Sequence, residues 1–425
     1  MKILLIYVVT ENINFPVLPL GMACVAESAR HAGHEVHQIS LSPNDHHEFL
    51  EVAIETFQPD VIGISLRNID DQKRIGTTVL LDPVKEVIEY CKAMADVPIV
   101  LGGAGFSIFP QSALQYLEAD AGLVGEGELT FLMLLDQLKE KGSLSDIPGL
   151  YLPGSQGENQ PATSSHQIDF ELPSPQTYLE LLSAYKGQDI WIPFQTRRGC
   201  PLQCNYCSTE SIEGLQIREY PVEKVAESLQ QFTKAGFSQF FFVDNIFNMP
   251  YPYAIKLCDA LIESKIDIKW RSIVYPWMIK QDLVEKMAEA GCQDISLGFE
   301  SGSEKILKIM NKKFSLGEVR EIAALFKGAG IRQTGFLLLG GPGETRETVM
   351  ESLEFADSLP MDIVKVSMGI RIYRGTQLAR TAVEEGLIKS DDNLLMPKFY
   401  MVPGLEDWLH ATVQDWMKDR KNWIL

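Results

Sequence analysis

Three cysteines within eight residues, Cys200, Cys204 and Cys207, constrain this chain more than any other feature. They lie in Arg197-Arg198-Gly199-Cys200-Pro201-Leu202-Gln203-Cys204-Asn205-Tyr206-Cys207, entered from a β-rich run at 190–196 and followed by a polar turn. A C-x3-C-x2-C loop placed there can converge three thiolates on one small inorganic cluster. A [4Fe–4S] cluster is ordinarily held by four thiolates, so three leave one iron open to a ligand that is not protein. A zinc knuckle or three separate buried thiols are the competing accounts. Zinc asks for a fourth Cys or His nearby, and neither occurs between Cys207 and Cys258.

Around that loop the chain alternates apolar runs with helical patterns. Runs at 3–9, 35–39, 61–65, 99–101 and 122–124 are separated by helical patterns near 20–32, 47–57, 83–95, 111–118 and 128–141. Such alternation predicts an α/β doubly wound, Rossmann-like domain, whose ligands sit at the carboxyl ends of the strands. The loops at those ends are Pro16 to Gly21, in which Leu20 and Gly21 open the first helix, then Ser65-Leu66-Arg67-Asn68, Gly102-Gly103-Ala104-Gly105-Phe106 and Gly125-Glu126-Gly127-Glu128. Glycine there lets backbone approach a large flat ligand. The dinucleotide fingerprint G-x-G-x-x-G is absent from the first loop. After turn-rich stretches at 154–161 and 173–175 the alternation resumes. Strands at 192–196, 239–243, 268–274, 294–300, 333–339 and 363–370 predict a partial (β/α)6 TIM-type barrel, whose chemistry belongs at the carboxyl ends. The expected division is therefore 1–141, a linker at 142–189, a barrel at 190–385 and a C-terminal extension at 386–425.

Thirty-eight basic side chains against fifty-seven acidic ones leave a net charge of −19. That opposes binding to a polyanion, so nucleic acid is not an expected partner. No window approaches the roughly 18 unbroken apolar residues of a membrane span. Met1 to Val9 lacks a following small-residue cleavage site and reads as a buried strand, which makes the cytoplasm the expected compartment. Seven cysteines, three of them clustered, argue against a disulfide scaffold. Cys24, Cys91, Cys258 and Cys292 fall in apolar contexts and are expected to be buried and inert; His46, His47 and His166 read as surface residues.

The three-cysteine spacing, with Tyr206 just before the last thiol, resembles the signature of radical S-adenosylmethionine (SAM) enzymes. The order of N-terminal loops resembles the cobalamin-binding domain that precedes the barrel in a large class of them. This resemblance implies a [4Fe–4S] cluster on Cys200, Cys204 and Cys207, SAM chelated at the open iron, and cobalamin held by residues 20–21, 65–68, 102–106 and 125–127. The Asp-x-His-x-x-Gly motif that supplies a lower His ligand elsewhere is missing, which implies a corrin without His ligation and Arg67 or Asn68 beneath it. An ionisable Glu300 at the end of a buried strand needs a cationic partner; in the family a Glu-Ser pair here, matching Glu300 and Ser301, meets the amino and ribose groups of SAM. Gly340 and Gly341 resemble the adenosine-binding turn. Tyr373-Arg374-Gly375-Thr376 looks like a Tyr-Pro-Gly-Thr element with Arg374 in place of Pro. Arg371 and Arg374 are candidates to hold the SAM carboxylate or steer an anionic substrate. Asp244 to Asn248 resembles an Asp-Asp/Asn-x-Phe segment, and a helix N-cap explains it equally well. The aromatic C-terminal segment, with Trp408 and Trp416 eight apart, reads as packing over the barrel or as a lid.

The activity so implied is methylation of an unactivated carbon in a small-molecule substrate. One SAM methylates the cobalamin, a second yields a deoxyadenosyl radical that takes a hydrogen atom from the substrate, and the methyl group passes to the substrate radical. An external one-electron reductant of flavodoxin or ferredoxin type is implied as partner. No catalytic side chain is assigned. A radical rearrangement, cyclisation or oxidation with cobalamin auxiliary or absent is the alternative, and an Fe–S electron-transfer or sensing protein is the third account.

Overall fold

A computed structural model of the chain describes residues 1–10, 17–41, 46–154, 170–185 and 189–425. Pro16, positions 155–161 of the turn-rich stretch, His166, and the side chains of His46 and His47 lie outside the described residues.

The N-terminal sheet contains β1 (Lys2–Val8), β2 (Glu35–Leu41), β3 (Val61–Ser65), β4 (Ile99–Gly102), β5 (Ala121–Leu123) and β6 (Leu150–Tyr151). Their order is β2-β1-β3-β4-β5-β6, parallel except for β6. Residues Ile3 to Val8 of β1 are all buried, as in a strand covered by helices on both faces. Strand order reverses between β1 and β3. The crevice at their carboxyl ends is thus the switch point where doubly wound sheets bind ligands. The expected linker is not merely a linker. It supplies β6 and the helix Pro175–Leu181, which lies on β2 and the first helix, where Arg30 pairs with Glu180 at 2.5 Å.

In the second half β7 (Ile192–Phe194) is followed by a small hairpin, β8 (Arg197–Arg198) and β9 (Arg218–Glu219), that brackets the cysteine loop. Then come β10 (Gln239–Phe242), β11 (Lys269–Val274), β12 (Cys292–Glu300), β13 (Arg332–Leu339), β14 (Ile363–Met368), the pair β15 (Ile370–Arg371) and β16 (Phe399–Tyr400), and β17 (Trp423–Ile424). The parallel barrel sheet runs β7-β10-β11-β12-β13-β14-β17. The six expected strands are present, and a seventh comes from the segment read as an extension. Trp423 is buried there and packs on Trp416 at 6.3 Å between ring centroids, while the helix Glu406–Met417 buries Leu409 and Val413. The C-terminal aromatics close the sheet edge. Inside the barrel Phe242, Phe247 and Trp270 stand 4.8 to 5.8 Å apart, a cluster whose ring contacts are each worth about 0.5–1.5 kcal/mol beyond area burial.

Candidate functional site

The cysteine loop is fastened at its stem and at its tip. Asp244, 1% exposed at the end of β10, accepts from Thr196 N (2.6 Å), Thr196 Oγ1 (2.7 Å), Arg197 N (2.9 Å) and Arg197 Nη2 (3.0 Å). Its role is to tie the stem down, not to cap a helix. Asn248 does the same for the next strand, bonding Tyr275 N and the Tyr275 and Trp277 carbonyls. Gly199 has φ +89°, and a Cβ there would meet Gln216 O at 2.0 Å, so the turn into Cys200 admits only glycine. At the tip Asn205 donates to Met310 O and Ile309 O and accepts from Leu378 N (2.9 Å). Asn311 Nδ2 donates to Gln203 O at 2.7 Å.

The three thiols are half-buried and unbridged, and the sulfurs of Cys204 and Cys207 lie close enough to raise the pKa of Cys200. Burial, first, and the neighbouring sulfurs push Cys200 up to about 11; burial raises Cys204 as well. Three thiols crowded at one loop are the donor set that iron takes as thiolates, releasing protons as it binds. Among the described residues no group of three or more His, Cys, Asp or Glu is placed to hold a single metal ion. Cys24, Cys91, Cys258 and Cys292 are each at most 4% exposed, buried as expected.

Beside Cys204 lies a group that the sequence did not single out. Lys312, its side chain 3% exposed, donates to Tyr206 Oη at 3.0 Å and to Glu300 at 3.4 Å. Burial pulls its ammonium down, but Glu300, Cys204 and Tyr275 together hold it above the usual lysine range. Burial and the carboxylate of Glu300 push the Tyr206 hydroxyl well up. The cationic partner expected for Glu300 is therefore supplied by the protein itself. Glu300 also adopts φ +63°, a left-handed conformation that costs a non-glycine residue about 1 kcal/mol or more and clusters at functional sites.

Four residues expected to contact SAM have other partners in the fold. Ser301 is fully buried, with Oγ 3.0 Å from Ser352 Oγ and accepting from Ser303 N; its hydroxyl holds the turn to the helix Arg346–Asp357. Arg371, 4% exposed, spends its guanidinium on Asp70 (2.8 Å) and on the carbonyls of Ile372, Leu394 and Leu395, leaving nothing for a carboxylate of SAM. The main-chain N–H groups of Gly340 and Gly341 both donate to Glu344 Oε2, and a Cβ at either would collide with Met401 or Ile370. These glycines serve close packing and a carboxylate nest.

Glu344 itself makes a testable case. It is 4% exposed, its Oε1 has no partner among the described residues, and burial outweighs the two N–H donors, raising its pKa from 4.5 to about 7. A carboxyl raised on folding contributes stability that is fully present below about pH 4.5 and lost as pH climbs through about 7, in total about 3 kcal/mol. Denaturant unfolding from pH 5 to 8 should show that decline in the parent and a flatter profile in Glu344→Gln. Identical profiles would show that the carboxyl is ionised throughout.

The N-terminal loops divide into scaffold and ligand edge. Phe106 and Leu66 are buried core; the Phe106 ring lies where a Cβ on Gly122 would fall. Gly103 (φ +100°) and Gly105 are needed because the Leu66 and Arg67 carbonyls pass within 2.6 and 3.0 Å of where a Cβ would sit. Glu126 and Glu128 each give a carboxylate oxygen to arginines across the interface. Glu128 Oε1 meets Arg198 Nη2 at 2.5 Å, and Glu126 Oε1 meets both Arg198 (3.3 Å) and Arg218. Gly127 is packed against Val25, Gly125 N donates to Ser107 Oγ, and Leu20 lines a small cavity with Cys24, Arg198 and Tyr220. What remains is an edge: Gly21 and Gly102, where a Cβ would meet nothing within 4 Å, Ala104, and the half-buried Ser65, Arg67 and Asn68 beside the switch point. Open space edged by glycine there fits a large flat ligand. The pairs Arg198–Glu128 and Arg371–Asp70 join the carboxyl ends of the two sheets, so this edge and the cysteine loop border one interface.

Comparison with known proteins agrees. Residues 195–356 match the model of the radical SAM superfamily and residues 6–135 that of the B12 binding domain. An uncharacterized methyltransferase of Pyrococcus horikoshii is 29% identical over 402 residues, 91% of this chain and 84% of the relative. The hopanoid C-3 methylase of Methylococcus capsulatus is 26% identical over 84% of this chain and 67% of its own length. The solved structure of TsrM, a radical SAM methyltransferase from Kitasatospora setae, with tryptophan substrate and a SAM analog bound, superposes with a TM-score of 0.82, 18% identity, and coverage of 98% of this chain and 88% of that one. OxsB, a cobalamin-dependent radical SAM enzyme, gives 0.80 at 19% identity, covering 98% and 66%.

Proposed function

We infer that this chain, which belongs to the radical SAM superfamily and carries a B12 binding domain ahead of its barrel, methylates an unactivated carbon of a small molecule. The observation that carries this reading is the face-to-face placement of the two carboxyl edges, with the cysteine loop on one and the open glycine edge on the other. When bound, the cluster with SAM supplies a hydrogen-abstracting radical and cobalamin supplies the methyl group.

The residues' parts follow from their chemistry. Cys200, Cys204 and Cys207 would hold a [4Fe–4S] cluster with one iron left open to SAM. Glu300, with one carboxylate oxygen engaged by Lys312, keeps the other for the SAM amino group, and Tyr206 shields that side from water. Gly21, Gly102, Ala104, Ser65, Arg67 and Asn68 would hold the corrin at this edge. The net charge of −19 disfavours nucleic acid as substrate. Among the described residues no helix is long and apolar enough to cross a membrane. Seven free cysteines suit the reducing cytoplasm, where a low-potential one-electron carrier supplies the cluster.

The test is corrin and iron content per chain after anaerobic purification from cobalamin-supplied cells. About one corrin with about four irons is expected, together with methyl label passing from SAM to the bound corrin. Iron without corrin would overturn methyl transfer and favour a radical rearrangement.

A further inference from the structure

Successive side chains of a strand point to opposite faces, and in the barrel strands burial tells the two faces apart. Trp270, Gln333, Val364 and Val366 are each at most 1% exposed. Trp270 Nε1 donates to Ala290 O and Gln333 Nε2 to Ala323 O in the helix Leu316–Gly328, so this set faces the surrounding helices. The intervening set faces the lumen. Ile273, Ser296, Thr334 and Ile363 stand in one register row across β11, β12, β13 and β14, and Phe336, Lys365 and Ile424 form the next row up on β13, β14 and β17. A packed barrel fills its interior with such side chains. Here Ile273, Ile363 and Ile424 are 36, 39 and 44% exposed, and Lys365 is exposed beside them. The lumen is an apolar channel open to solvent, with a cation on its wall.

The other charges on that wall have partners. Asp294 meets Arg332 at 3.4 Å, Arg271 lies 4.8 and 4.7 Å from the rings of Trp191 and Phe241, and Glu300 is engaged by Lys312. Among the described residues Lys365 pairs with no carboxylate, that of Leu425 included. Its place is close to the chemistry. Val366 is level in register with Leu337 and Glu300, so Lys365 stands one residue below Glu300 and two strands away, about 10 Å by strand spacing.

We propose that Lys365 selects the substrate. Its ammonium pairs with the carboxylate of an organic acid whose apolar body lies against Ile273, Phe336 and Ile363, within reach of the mouth at Glu300. One cation on an apolar wall suits one negative charge on an apolar molecule; a phosphate dianion, which recruits several donors, is a poorer match. An ion pair sheltered by such a wall is worth more than one in open water, so a neutral or cationic analogue of the acid binds less well. The proposal rests on the SAM site of the preceding subsection, which supplies the radical at that mouth. The binding step itself breaks no bond and moves no proton.

The experiment titrates the cluster- and corrin-loaded chain with octanoate, octyl phosphate, octylammonium and 1-octanol by calorimetry. Octanoate should bind the parent more tightly than any of the other three. Lys365→Met should weaken octanoate about tenfold or more. The same variant should bind 1-octanol as well as the parent does, which also shows that it is folded. Lys365→Arg should keep octanoate within about threefold, because the charge stays. Lys365→Glu should turn the preference over to octylammonium, and Ile273→Trp, which fills the lumen, should weaken octanoate and 1-octanol alike. Reducing the cluster to its paramagnetic 1+ state should broaden the proton signals of bound octanoate. Octanoate affinity equal in the parent and the Lys365 variants, or no saturable binding to the parent, would overturn the site. Tighter binding of octyl phosphate would overturn the carboxylate class, and signals indifferent to reduction would overturn the acid's role as substrate. A chain that loads no cluster would remove the SAM reading alone, since octanoate binding then still reports on Lys365.

Discussion

Replacing Cys204 with alanine is expected to abolish 5′-deoxyadenosine formation from SAM and to leave the purified chain without its cluster. Two thiolates cannot hold three irons of a cubane, and no other Cys is placed to substitute: Cys24 and Cys258 are buried on other elements with thiols pushed up to about 12, by burial first. The loss should not come from unfolding. Cys204 is only partly buried, and a surface-edge substitution of this size costs about 1 kcal/mol or less. The loop is also held independently of the metal by Asn205, Asn311 and Asp244. Iron content, the visible charge-transfer absorption and deoxyadenosine yield, read on one preparation with its thermal melt, decide the matter. A variant that still cleaves SAM would dismiss these cysteines as cluster ligands.

Removing Arg198 should produce the largest loss of stability. Its guanidinium, 5% exposed as a residue, meets Glu128, Glu126, Gln195 Oε1 and the Cys24 thiol, and among the described residues Glu128 pairs with no second cation. Breaking a buried ion pair by deleting one partner leaves the other charge uncompensated, at a cost of about 3–5 kcal/mol. Arg198→Ala should lose that much in denaturant unfolding. Adding Glu128→Ala should restore more than half of it, because the stranded carboxylate is then gone. Arg198 also stands two residues before Cys200, so the single variant should bind iron less completely even where it folds. If the double variant is no more stable than Arg198→Ala, the loss comes from packing and not from the stranded charge.

Much of the architecture was legible because it is local. Every expected strand appears within about two residues of its place, since apolar periodicity and turn residues are encoded in neighbouring positions. The added strands were not legible: Leu150–Tyr151 and Trp423–Ile424 are two residues each, too short for any pattern, and they exist because β5 and β14 offer open edges. The cysteine loop was legible for the same local reason, its ligands lying within one turn of chain. Lys312 was not. In Asn311-Lys312-Lys313 it resembles a solvated basic run, and only the packing of Tyr206, Tyr275 and Glu300 around it makes it a buried cation.

Ser301 and Arg371 show the opposite error. Both stand where a ligand contact is expected, yet their partners, Ser352 and Asp70, lie 51 and 301 positions away in the chain. Glu126 likewise reads as part of a ligand loop until Arg198 and Arg218 are brought to it across the interface. The sequence by itself determined the two α/β halves, the three-thiolate loop and the order of loops at the strand ends, because each depends on residues close together in the chain. Which of those loops face a ligand and which carry the weight of the interface was decided by tertiary structure alone. A buried charge or hydroxyl takes whichever partner the folded chain places within about 3 Å, and that partner cannot be read from its neighbours.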